Sequence, residues 1–170
     1  MRRALDTLYG AAAVLAALFM VGTLLMVLAS MLDRIVTLPL RGMDMYAGYF
    51  MAAAGFLALA HTLKSGEHIR VTLLLNRFRA VPRRRMELWC LSVAVLLSGA
   101  FAYYSARLAW ESWDFRDMST GPDATPLWIP QLSMAVGAAV FFVAFVDEWW
   151  LELRGRRRAE TGDAAPRFNE

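Results

Sequence analysis

Four uncharged apolar runs decide what this chain can fold into: residues 7–32, 45–63, 88–106 and 124–146 contain no Asp, Glu, Lys or Arg. The first holds 26 residues and the second 19. A helix rising about 1.5 Å per residue needs roughly 20 residues to cross a hydrocarbon core of about 30 Å, so each run is long enough to span. The expected fold is an all-α membrane protein with four transmembrane helices. Composition agrees, since 58% of the 170 residues are hydrophobic and mean hydropathy is +0.41, too apolar for an ordinary soluble domain and enough for one small helical bundle. Arg2 and Arg3 ahead of an apolar run resemble the start of a secretory signal. A signal's apolar region covers only about 7–15 residues, and the first run is therefore expected to be a retained span.

Charge sets the expected orientation. The stretch Lys64–Glu87 carries seven of the 18 Lys and Arg against two acids, Glu67 and Glu87. Loops rich in Lys and Arg stay on the cytoplasmic side. With that loop inside, the amino terminus, the loop and the carboxyl tail together hold fourteen basic residues, and the two outer connections hold four. Both termini are then cytoplasmic. The basic excess, with a pI near 9.4, fits anionic lipid headgroups, because it clusters beside apolar spans; no nucleic-acid recognition motif accompanies it. Inside the loop, Val71, Leu74, Leu75 and Phe78 follow helical spacing, predicting an amphipathic interfacial helix over about 67–80 that Pro82 ends. Ile69 and Leu73 fall on its other side.

The outer connections are short and turn-rich. Pro39 and Gly42 punctuate the first, and Ser119, Gly121 and Pro122 the second. Gly48, Ala52 and Gly55 share one side of the second span, where small residues let a helix of this bundle or of a partner approach closely. Trp89 marks the inner end of the third span, and Tyr103, Tyr104, Trp110 and Trp113 its outer end. Pro126 and Pro130 sit near the start of the fourth, where missing backbone donors are tolerated. Residues 1–153 form one four-span domain, and 154–170 a basic then polar tail with RGRRR at Arg154–Arg158.

Chemistry-bearing groups are sparse. Cys90 is the only cysteine, so no internal disulfide or CxxC pair exists. A carrier binds its solute near mid-bilayer with ionisable groups or broken helices, and these runs offer only His61, near the inner end of its span. His61 and His68 lie along one stretch and suit neither a bis-histidine haem nor a metal centre. No hydrolase, metalloprotease or nucleotide-binding motif occurs, so no enzyme activity and no cofactor are expected. Asp44, Glu111, Asp114, Asp117 and Asp123 fall at the outer surface, as solvated loop charge or as contacts for a basic periplasmic partner.

The segment RGMDMYAGYFMAAAGFLALAHTLKSGEHIRVTLLLNRF, with Gly66, His68, Ile69, Arg70 and Val71 at its centre and Leu73–Leu75 after them, resembles the small, DctQ-like permease subunit of tripartite ATP-independent periplasmic (TRAP) transporters. LWIPQLSMAVG resembles the family's closing helix, and the likeness extends from Leu5 to about Leu153. Thr72 and Ala135 depart from the family pattern, where Asp and Pro are common, and Asp44 stands where Glu is common. The resemblance implies a bacterial inner-membrane importer of organic acids or similar solutes. In it a periplasmic solute-binding protein delivers the solute, a large permease subunit moves it with sodium, and the small subunit is a membrane scaffold. His68 and Arg70 are expected to fix the inner loop against lipid or the large subunit. One rival is a self-sufficient homo-oligomeric transporter or channel, which needs Thr62, Ser98, Ser105 and Gln131 to converge on a pore. Another is a membrane sensor or assembly factor.

Overall fold

A computed structural model describes residues 2–36, 42–64, 80–121 and 124–154. Four helices make up nearly all of them: α1 (Arg2–Val36), α2 (Met43–Lys64), α3 (Ala80–Asp114) and α4 (Trp128–Leu153). Each contains a stretch long and apolar enough to cross a membrane. All four expected spans are present, and three run well past their uncharged cores. α1 and α3 each reach 35 residues, or about 50 Å of helix. Pro82, expected to end the interfacial helix, is the third residue of α3, where a backbone N–H has no intrahelical acceptor to lose. Pro130 takes the same position in α4. Of the interfacial helix expected over 67–80, Ala80 opens α3 instead, and Val71, Leu74, Leu75 and Phe78 lie outside the described residues, as do His68, Arg70 and the tail beyond Arg154.

The helices stand in a row. α1 packs on α2, α2 on α4 and α4 on α3, with α1 and α4 touching slightly. The order along the row is therefore α1–α2–α4–α3, among the described residues an open layer rather than a closed bundle. Small residues line the seams, because without a hydrophobic drive in lipid the helices gain by close van der Waals approach. At the central, parallel seam Ala53, Ala60 and Ala144 are buried. A Cβ on Gly137 would fall 2.7 Å from the Phe56 backbone, so only glycine lets α2 and α4 come this close. Along α3, Ser98, Ser105 and Ser112 are buried at seven-residue intervals, and the Phe142 ring fills the space beside Gly99. Ser98 donates to its own helix at Val95 O (3.2 Å), which satisfies the hydroxyl without a partner across the seam. The Trp149 indole donates to Ser92 Oγ at 3.0 Å, tying α4 to α3. At the α1–α2 seam the Phe50 ring sits against Gly22 and 5.5 Å from the Phe19 ring centroid. The edge helices leave Leu15, Leu18, Leu24, Leu25, Leu96 and Leu97 exposed, as lipid-facing surfaces must.

Candidate functional site

At the end of the row where α1 starts and α4 finishes, one ammonium joins three helices. Lys64, the last residue of α2, places Nζ 2.5 Å from Asp147 and 3.6 Å from Glu148 on α4. The same nitrogen lies 5.5 Å from the centroid of the Tyr9 ring on α1. The lysine and Asp147 side chains are only 24% and 21% exposed, so the attraction is weakly screened. Beneath it Tyr9, Ala60, Leu63 and Ala144 form an apolar cluster with Leu5, Val140, Phe141 and Phe145 packed around it. Sequence reasoning missed this clamp, treating Lys64 as one more charge of a basic loop. The available signal was a lysine closing the second run and an acid pair closing the fourth, which parallel helices bring level.

The opposite end is closed by two corners. Between α1 and α2, Gly42 adopts φ 91°, the left-handed conformation that favours glycine, and its carbonyl accepts the Met45 amide at 3.0 Å. Asp44 there accepts from Ser30 Oγ at 2.5 Å and pairs with Arg34 at 3.4 Å. Between α3 and α4, Met118 and Pro126 form an isolated bridge. Ser119 N donates to Thr125 O at 2.8 Å and Leu127 N to Asp117 O at 3.0 Å. Two tyrosines of α2 reach this connection, Tyr46 to Thr125 Oγ1 at 3.1 Å and Tyr49 to Ser119 Oγ at 3.0 Å. Of the acids expected at one surface, Asp44, Glu111, Asp114 and Asp117 lie at this end and Asp123 falls outside the described residues; Glu111 accepts from its helical neighbour Arg107 at 2.7 Å, and Asp114 is the last residue of α3.

Between the two ends, Gly48, Ala52 and Gly55 lie on an exposed side of α2. A Cβ at either glycine would meet nothing within 4 Å, so no helix among the described residues occupies that face. The residues a pore would need do not converge. Thr62 donates to its own helix at Leu59 O (2.9 Å), near one end of the row. Gln131 is in the first turn of α4, at the other end. Ser98 and Ser105 are buried along α3.

A single layer of long apolar helices, with its charges gathered at both ends and one small-residue face bare, defines a multi-pass membrane component shaped for lateral packing. Residues 23–155 match the family described as tripartite ATP-independent periplasmic transporters, DctQ component. The chain belongs to that family, and its place is the bacterial inner membrane. The family indicated by Gly66–Leu75 and by LWIPQLSMAVG is thus the family found. Comparison with curated proteins returns no match.

Proposed function

We propose that this small TRAP subunit is the stationary scaffold of its transporter, holding a large permease subunit in the bilayer while that subunit carries an organic acid or similar solute inward with sodium. A periplasmic binding protein delivers the solute. The observation that carries this reading is the bare face of α2: among the described residues, no other helix brings an atom within 4 Å of where a Cβ on Gly48 or Gly55 would stand. Small residues on an uncovered span suit a helix from another polypeptide. The absence of Asp, Glu, Lys and Arg from the middle of every apolar run supports assigning the solute path to the other subunit.

On this reading both termini and the Lys64 clamp face the cytoplasm, following the positive-inside rule. Val71, Leu74, Leu75 and Phe78 lie on the membrane interface or on the large subunit, with His68 and Arg70 anchoring that loop. Asp44, Glu111, Asp114 and Asp117 face the periplasm and are offered to the solute-binding protein. The test is copurification in mild detergent. Gly48→Leu with Gly55→Leu is expected to reduce recovery of the large subunit about tenfold while leaving the thermal unfolding of the isolated small subunit unchanged. Undiminished recovery would remove α2 from the interface.

A further inference from the structure

Where α3 ends and α4 begins, a cavity of about 350 Å³ is lined by Trp113, Arg116, Met118, Pro126 and Trp128. Its apolar walls are fixed: the Trp113 and Trp128 rings meet edge to face at 5.2 Å, and the Met118–Pro126 bridge closes one side. Arg116 borders the cavity from a helix-terminating turn. The Asp117 amide donates to Ser112 O at 3.0 Å and the Arg116 amide to Trp113 O at 3.3 Å, the paired bonds of a Schellman motif. The turn requires the left-handed conformation at Arg116, whose φ is 53°. Glycine ordinarily fills that position, and a side chain there costs about 1 kcal/mol.

The charge of this arginine also stands apart from its neighbours. At the same end of the row Arg34 pairs with Asp44 and Arg107 with Glu111, whereas Arg116 makes no ion pair among the described residues. The cavity surface is almost wholly apolar, and the lining residues that carry a side-chain polar group are Arg116, Trp113 and Trp128, whose groups are all donors. A matching ligand is rich in acceptors and apolar below them. Trp and Arg at the end of a spanning helix also lie at headgroup depth. We propose that this cavity binds the phosphodiester and glycerol-ester region of a membrane phospholipid, with the phosphate on Arg116 and the upper acyl chain against Met118 and Pro126. Arginine binds phosphate oxygens through charge-assisted, often bidentate, hydrogen bonds. The exposed acids Asp114 and Asp117 flank Arg116 in sequence, which favours a headgroup that also carries an ammonium. The site is a property of this subunit and does not depend on how the large subunit is engaged.

The test is native mass spectrometry of the purified full-length chain, delipidated and then titrated with phosphatidylethanolamine, phosphatidylglycerol or inorganic phosphate. Wild type is expected to retain one phospholipid that Arg116→Gln and Arg116→Gly release about tenfold more readily. Arg116→Lys should restore part of the affinity, and Arg107→Gln, which alters a paired arginine on the preceding helix, should match wild type. Arg116→Gly relaxes the turn, so its loss of lipid cannot be ascribed to misfolding. Tighter retention of phosphatidylethanolamine than phosphatidylglycerol supports the role given to the flanking acids, and the reverse order overturns that part. Equal lipid retention by wild type and Arg116→Gln overturns the site, as does full competition by inorganic phosphate. A photoreactive residue replacing Met118 in membranes should label phospholipid; labelling of a protein instead would make the cavity a protein-docking surface and overturn the lipid assignment.

Discussion

Gly137 and Lys64 hold the same pair of helices by different physics. Gly137 works through space: the Phe56 backbone stands 2.7 Å from the place a Cβ would take, and a backbone cannot turn aside as a long side chain can. Gly137→Val should therefore push α2 and α4 apart and cost about 1–3 kcal/mol, as overpacking does, read as a lower unfolding midpoint in detergent. Lys64 works through charge, being the described cation set between Asp147 and Glu148. Lys64→Met leaves the partly buried Asp147 carboxylate without its lysine partner. A loss of about 1–2 kcal/mol is expected, above that of an exposed pair and below that of a fully buried one. The same midpoint measures it, and Lys64→Arg should recover most of the loss.

Among the elements, the spans were legible and their ends were not. Absence of charge over a bilayer thickness leaves little besides a helix, so α1 to α4 could be placed from composition alone. Their termini depend on where backbone hydrogen bonding stops, and that continues through Asp147–Glu152 on α4 and Arg107–Asp114 on α3 because nothing there breaks a helix. Pro82, expected as a stop, falls in the first turn of α3, where N–H groups lack acceptors. The small-residue signal was read on Gly48, Ala52 and Gly55, yet the internal seam uses Ala53, Ala60, Gly137 and Ala144. Spacing alone does not say which stripe of a helix its own chain will cover. The connection between α3 and α4 owes its order to α2, through Tyr46 and Tyr49. Replacing both with Phe removes two hydrogen bonds worth about 0.5–1.5 kcal/mol each. Amide exchange at Ser119 and Leu127 should then accelerate about tenfold or more, with the α2 interior unaffected.

For the whole molecule, the prediction that separates a row from a closed bundle is geometric. In a Cys90→Ser background, cysteines replacing Ala60 and Ala144, both fully buried in the shared seam, should cross-link readily. Cysteines replacing Leu18 and Leu96, exposed on the two edge helices, should not cross-link within one chain. Formation of the second link at the rate of the first would return the molecule to a compact bundle. Reconstituted alone in vesicles with a sodium gradient, the chain should drive no solute uptake, since Thr62 and Gln131 stand at opposite ends of the layer.

The order α1–α2–α4–α3 also sets the mechanics of anything joined to the chain. Neighbouring helix axes are about 8–10 Å apart, so three spacings give an arm of at most roughly 25–30 Å in the plane of the bilayer. A compact cluster of the same four helices would offer about half that reach. A neighbour that tilts or slides during its cycle exerts torque on whatever is fastened to it, and a wide plank resists turning through viscous drag on lipid far from the joint. Breadth therefore serves as leverage, supplied by seams no wider than an alanine.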